Sequence, residues 1–195
     1  LTLGIKRYLS ISELRGLMFL NLAVSAGGSM ILVNTIILVR SSLELSEIAF
    51  SITMLIFGAG CIFAAIIIPY LSKEMTASRI MLAGSNLLSV VFVALAFWLI
   101  LFDFIWFVLL LAWFISGFGY TLLLTPMGRV IRKVSSVDEF SQVYSAQFSL
   151  SHLCWLFMYP LSGYLMTISG GPFTLLTLAL LMVCSNIIAA WHFRS

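Results

Sequence analysis

Charged residues are scarce in this sequence, and their scarcity is its most informative property. Asp, Glu, Lys and Arg make up 9% of the 195 residues, whereas 62% are apolar and the mean hydropathy is +1.16. A soluble domain carries about 25% charged residues, because most of a small globule is surface in contact with water. The composition therefore excludes a water-soluble fold and predicts an integral membrane protein in contact with the lipid bilayer.

The low numbers of charges and cysteines exclude other classes as well. The net charge is +3, but long uncharged runs separate the ten Lys and Arg residues, which does not suit a surface that follows phosphates. No nucleic-acid partner is expected. Cys61, Cys154 and Cys184 lie in apolar runs without metal-ligand or disulfide spacing. The sequence therefore predicts no metal site and no other cofactor.

The gaps between the charges predict the membrane spans. Four charge-free runs of 23 to 25 residues are each long enough to cross a hydrocarbon core of about 30 Å as one helix. A fifth run of 54 residues must reverse once, and Gly170-Gly171-Pro172 is its strongest breaking signal. We therefore predict an all-α membrane protein, a single bundle of six transmembrane helices. Its approximate spans are residues 16–39, 48–72, 80–102, 104–128, 140–167 and 172–193.

The positions of Lys and Arg predict the orientation. If the number of spans is even, nine of the ten cations lie on one side of the membrane and Arg40 alone lies on the other. The positive-inside rule then places both termini in the cytoplasm, and the expected location is the cell (inner) membrane. The first residue is Leu and not Met, which indicates a fragment or a part of a longer chain.

Spans one and four carry polar or amphipathic side chains at helical spacing, which predicts faces turned toward protein or a wet cavity. Small residues at such spacing also suit close packing of helices, so both interpretations remain open. The candidates for a solute cavity are Asn21, Ser25, Gly28, Trp113, Ser116 and Tyr120.

Span five carries the candidates for gating or coupling, Gln147, His152 and Pro160. A buried amide such as Gln147 needs partners, and Pro160 within the span predicts a kink. For His152 the alternative is a neutral ring in a hydrogen bond between helices. No Asp, Glu, Lys or Arg lies deep in any predicted span, so a charged coupling group is expected elsewhere.

A group of cations precedes span five. Arg129, Arg132 and Lys133 share one helix face by their spacing. They are interpreted either as an anchor to lipid headgroups or as one side of a gate-closing ion pair with another domain.

Over nearly its whole length the sequence resembles the carboxy-terminal half of a major facilitator superfamily transporter of the efflux type. Leu43 to Gly60 is similar to the start of that family's eighth helix. The segment that contains Lys73, Glu74 and Arg79 lies where the family has a second copy of its cytoplasmic motif G-x-L-(S/A)-D-R-x-G-R-R. Leu71 and Ser72 match that motif, and Lys73 and Glu74 replace its aspartate and arginine. Residues 125–129, 138–139 and 147–163 are similar to the tenth and eleventh helices.

The resemblance implies a role for each pair of spans. Spans one and four line a central cavity, spans two and five pack against an amino-terminal six-helix half and act as gates, and spans three and six face lipid. A small solute binds between the two halves, which alternate in their access to the two sides. The leading hypothesis is therefore a secondary transporter that exports a drug, a metabolite or a cation.

Three other functions compete with this hypothesis. A six-helix solute-binding subunit of a multi-protein importer also fits 195 residues, and a structural or assembly role stays open. An intramembrane serine protease does not fit, because Ser116 lies in span four and His192 at the cytoplasmic end, so that the two cannot meet at one depth. No enzyme is predicted.

Overall fold

The computed structural model describes residues 2–194, and every regular element in that part of the chain is helical, which confirms the predicted all-α class. The elements are α1 (Thr2–Ser10), α2 (Ser12–Ile36), a π-helical segment (Ile37–Ser42), α3 (Glu47–Glu74), α4 (Ala77–Leu101), α5 (Trp106–Leu124), α6 (Met127–Val134) and α7 (Val137–His192). Among the described residues, five helical stretches are long and apolar enough to cross a membrane, and the last of them, α7, has 56 residues.

α7 consists of two arms that run in opposite directions. Gly170 adopts φ 74° and ψ 178°, a backbone conformation that favours glycine, and it divides α7 into a first arm (137–169) and a second arm (171–192). Asn34 of α2 binds Ser162 of the first arm, whereas Gly16 lies against Ala189 of the second. Both arms therefore lie beside α2, and the six apolar segments alternate in direction.

Local chemistry sets several helix boundaries. Ser46 accepts a hydrogen bond from the Ala49 amide at the start of α3, and Thr76 accepts one from the Arg79 amide at the start of α4. The span predicted to reach residue 128 is interrupted, since α5 ends at Leu124 and Pro126 precedes the separate helix α6. At the end of α2 the Leu43 amide bonds the Leu38 carbonyl, the five-residue spacing of a π-helix.

α2 is the central helix of the bundle, with both arms of α7, α4 and α5 around it. Sixteen of its residues are buried, among them Leu17, Leu20 and Met30. α4 packs between α5 and the second arm and buries one whole face, including Ser85, Leu88 and Phe92. Gly84 allows the backbone of α5 to approach this face closely, and the lipid contact expected for span three stays a prediction for the opposite face.

α3 lies at the edge of the bundle and packs mainly on α5. Only 22% of its most apolar stretch is buried, compared with 56% for α4. Large apolar side chains cover its outer face, with Ile48, Leu55, Ile62 and Ile66 each at least 60% exposed. A continuous exposed apolar surface of this kind suits lipid or another helical unit.

The cations gather at one end of the bundle. Arg7 pairs with Glu139 at 3.1 Å, Arg129 binds Ser72, and Ser12 Oγ donates to the His192 carbonyl at 2.9 Å. These contacts bring the ends of α1, α3, α6 and α7 together, and Arg40 lies at the opposite end with the π-helical segment. We refer to the end that holds Arg7, Arg129 and His192 as the cationic end. The cytoplasmic placement of this end stays a prediction.

Candidate functional site

Three contacts join α2 to the first arm of α7 along its length. Near the cationic end, Gln147 Nε2 donates to Asn21 Oδ1 at 2.8 Å. One layer further, the Trp155 ring covers Gly28 so closely that a Cβ there would overlap it. In the third layer Asn34 Nδ2 donates to Ser162 Oγ at 2.8 Å. We refer to these three layers as the α2–α7 seam.

Tyr8 of α1 completes the layer at Gln147. Its hydroxyl donates to Gln147 Oε1, and its side chain is fully buried. Burial raises the pKa of Tyr8 above its ordinary value, because the charged phenolate would lose its water. The hydroxyl therefore keeps its proton, and the Gln147 amide is held by a donor on one side and an acceptor on the other.

A groove lies between the first arm of α7 and the junction of α5 with α6. It has a volume of about 310 Å³ and continues into a second cavity of about 430 Å³ at the cationic end, with Thr125, Gly128 and Tyr144 shared by both. We refer to the two together as the α5–α7 groove. The first cavity is lined by Leu124, Thr125, Met127, Gly128, Ile131, Tyr144, Gln147, Phe148 and Ser151.

The chemistry of this groove is mainly apolar with a few oriented polar groups, which is the usual composition of a small-molecule site. Tyr144 and Phe148 are 50% and 59% exposed, so their rings are available for contact. Gln147 is 4% exposed and its Nε2 lies 2.7 Å from Met127 Sδ. Arg129 and Arg132 line the second cavity.

None of the six predicted cavity residues lines the α5–α7 groove. Asn21, Ser25, Trp113 and Ser116 are buried between helices, and Gly28 lies under Trp155. Trp113 Nε1 donates to Thr35 Oγ1 at 2.8 Å, which ties α5 to α2. Tyr120 is half-buried and packs against Phe57 with ring centroids 5.9 Å apart. Their role in a solute path stays a prediction.

Of the gating candidates, only Gln147 lines the groove. His152 is exposed, and its Nδ1 lies 2.8 Å from the Phe148 carbonyl oxygen of the same helix. This contact lies within α7, and the role of the His152 ring stays a prediction. Pro160 lies inside helical backbone, and Gly170 is the one residue of α7 with non-helical backbone angles. The kink expected at Pro160 stays a prediction.

The cations of the loop segments have separate surroundings. Lys73 lies 5.6 Å from the centre of the Tyr70 ring, and Glu74 ends α3 on the surface. Arg129 donates to Ser72, Arg132 lies 5.9 Å from the Phe140 ring, and Lys133 faces Arg79 and Arg194 across a cavity. The three cations of α6 thus have different surroundings, since Arg129 binds α3, Arg132 lies near α7 and Lys133 lines a cavity.

Sequence reasoning missed Tyr8, Asn34 and Phe148. The sequence could have indicated a contact for Asn34, because an amide within an apolar span needs a hydrogen-bond partner. Tyr8 lies in a short segment outside the predicted spans, where nothing in its neighbours indicates burial. Phe148 is one apolar residue among many, and its exposure depends on how α7 is rotated.

A bundle of helices that are long and apolar enough to cross a membrane defines an α-helical membrane protein. The sequence profile of the Major Facilitator Superfamily matches residues 17–195, and the chain belongs to this family of membrane transporters. No curated protein and no solved structure matches the chain. Members of this family are transporters and not enzymes, and this membership favours the transporter hypothesis over the importer subunit.

Proposed function

We propose that this chain provides one half of a secondary active transporter, which moves a small organic solute by alternating access in the direction of efflux. The observation that carries the proposal is the α5–α7 groove. It combines exposed aromatic rings with one preoriented amide in a chain of the Major Facilitator Superfamily. The Tyr144 and Phe148 rings would supply apolar contact and attraction for a cationic group, and Gln147 would orient the solute.

The groove is open on one side, so a second unit is needed to close it around a solute. The proposed partner is an amino-terminal six-helix half, which would pack against the exposed face of α3 and the first arm of α7. In such transporters the site lies between two halves that rock against each other. Asn21, Ser25 and Trp113 would then reach the solute only after α2 moves relative to α7.

The direction of transport is inferred from where the groove opens. Its second cavity reaches Arg129 and Arg132 at the cationic end. By the positive-inside rule this end would face the cytoplasm of a cell with the protein in its inner membrane. A solute from inside the cell would therefore enter the groove first, as export requires. The coupling carboxylate would belong to the other half, since no Asp or Glu lies deep in these spans.

The test is solute flux through the full-length protein in proteoliposomes with an imposed proton gradient. A panel of fluorescent aromatic cations and neutral aromatic solutes serves as the probe. We expect gradient-dependent movement of at least one member, and about a tenfold loss with Phe148→Ala. The matched control is Phe97→Ala on α4, since Phe97 is 52% exposed but does not line the groove.

Two results would overturn the proposal. One is an absence of flux for the whole panel with protein that is correctly folded by its melting transition. The other is an equal loss of flux in the Phe148→Ala and Phe97→Ala variants, which would show that the groove has no special part in transport.

A further inference from the structure

A third cavity, separate from the α5–α7 groove, lies at the cationic end between the start of α4, the end of α6 and the end of α7. Its volume is about 410 Å³. The residues around it are Thr76, Ser78, Arg79, Leu82, Lys133, Ala190, Phe193 and Arg194. Three of them are cations and none is acidic, so the cavity concentrates positive charge.

The three cations come from three different elements. Arg79 lies in the first turn of α4, Lys133 in the last turn of α6, and Arg194 just beyond α7. Each side chain is exposed, and no ion pair links any of them to a carboxylate within residues 2–194. Like charges brought together without a counter-charge repel one another, and an anion between them would remove that repulsion.

Polar groups beside the cations suit a phosphate in particular. Thr76 and Ser78 contribute hydroxyls at the amino terminus of α4, a helix of 25 residues. Thr76 caps the Arg79 amide at this terminus, and the helix dipole there favours negative charge. Arg79 and Arg194 offer planar guanidinium groups that bind phosphate oxygens in pairs.

The surroundings of the cavity indicate where the phosphate would come from. Leu82, Ala190 and Phe193 form an apolar side of the cavity. Just beyond it on α7, Trp191 and Ile187 are 67% and 65% exposed. Exposed Trp is typical of the membrane interface, where headgroups meet acyl chains. Basic pockets between transmembrane helices bind anionic headgroups in the same manner.

We propose that Arg79, Lys133 and Arg194 form a binding site for a phosphate group, supplied by the headgroup of an anionic phospholipid whose acyl chains lie along α4 and the second arm of α7. This site is independent of the proposed transport path, because it shares no residue with the α5–α7 groove. Its failure and the failure of the transport proposal would therefore be distinguishable.

The experiment measures binding to the full-length protein in neutral detergent. The probes are dioctanoyl phosphatidylglycerol, dioctanoyl phosphatidylcholine and inorganic phosphate. Each cation near an anionic headgroup contributes about fivefold in affinity, so the triple variant Arg79→Gln, Lys133→Gln, Arg194→Gln should bind phosphatidylglycerol about a hundredfold more weakly. The matched control is Lys6→Gln, an exposed cation at the same end that does not line the cavity.

The outcomes separate the two sources of phosphate. Tight binding of phosphatidylglycerol over inorganic phosphate, lost in the triple variant and kept in Lys6→Gln, supports the lipid site. Equal binding of inorganic phosphate with the same loss supports the phosphate site but overturns the lipid source. Equal affinities of the triple variant and the unmodified protein overturn the proposal, as does an equal loss in Lys6→Gln.

A charge-preserving variant distinguishes the loss of the binding site from the loss of the folded structure. Arg79→Lys with Arg194→Lys keeps three positive charges and should bind phosphatidylglycerol within about tenfold of the unmodified protein. If this variant keeps its melting temperature but loses binding as completely as the glutamine variant, the cationic site is disproved.

Discussion

The α2–α7 seam and the contact between α3 and α5 hold their helices together by different means. The seam uses side chains, namely the amide of Gln147 on Asn21 and the Trp155 ring over Gly28. α3 and α5 instead meet at Gly60 and Gly117, where each backbone lies directly against the other. Side chains can exchange partners during a movement, whereas touching backbones cannot. We infer that α3 and α5 move as one unit and that the seam is where the bundle can change shape.

The largest expected effect comes from Gly60→Ala or Gly117→Ala. A Cβ at Gly60 would overlap the Phe114 carbonyl, and one at Gly117 would overlap the Phe57 carbonyl. Because neither obstacle is a movable side chain, each variant should lose about 3 kcal/mol of stability. Denaturant unfolding of the purified full-length protein in detergent measures this loss.

Gly58→Ala is the matched control, since it lies two residues from Gly60 on the same helix with nothing within 4 Å of the added atom. Its stability should stay the same or rise, because alanine favours helix over glycine by about 1 kcal/mol. If Gly58→Ala and Gly60→Ala unfold at the same denaturant concentration, α3 and α5 do not meet at their backbones.

The next effect is that of Gly28→Ala in the seam. The added Cβ would overlap the tip of the Trp155 ring, which can rotate away at the cost of its packing. We therefore expect a smaller loss of about 1–2 kcal/mol. In a protein that already carries Trp155→Leu, adding Gly28→Ala should cost less stability than it does in the unmodified protein. A loss as large as that of Gly60→Ala, without recovery, would mean that the seam is as rigid as the α3–α5 contact.

The sequence predicts those features that depend on local composition. Charge-free runs predict the apolar helices, and Gly170 reverses the chain at the predicted breaker. The rotation of each helix about its axis depends on partners more than 100 residues away, such as Gln147 for Asn21. Because of this rotation Trp113 is buried and Phe148 is exposed. A single sequence does not indicate how each helix is rotated. The groove itself could therefore not be located from spacing.

A third effect tests whether the amides in the seam act as a pair. In a double-mutant cycle of Asn21→Leu and Gln147→Leu, we expect a coupling energy of about 1 kcal/mol, as found for hydrogen bonds between membrane helices. Ser25 bonds the Leu22 carbonyl of its own helix, so a cycle of Ser25→Ala with Gln147→Leu should be additive. Equal coupling in the two cycles would show a general change in packing and not a specific pair.

The smallest effect is that of Tyr8→Phe, which removes one hydroxyl from Gln147 and should cost about 0.5–1 kcal/mol. Burial raises the pKa of Tyr8 above the ordinary value of 10.0, so the folded state keeps a proton that the unfolded state loses above that pH. The stability of the unmodified protein should therefore decline above about pH 10 more steeply than that of Tyr8→Phe. Between pH 7 and 9, where Tyr8 is protonated in both states, the difference between the two proteins should be constant. Melting temperatures across this range test the assignment, and a difference that already changes below pH 9 would show that Tyr8 is not the buried donor to Gln147.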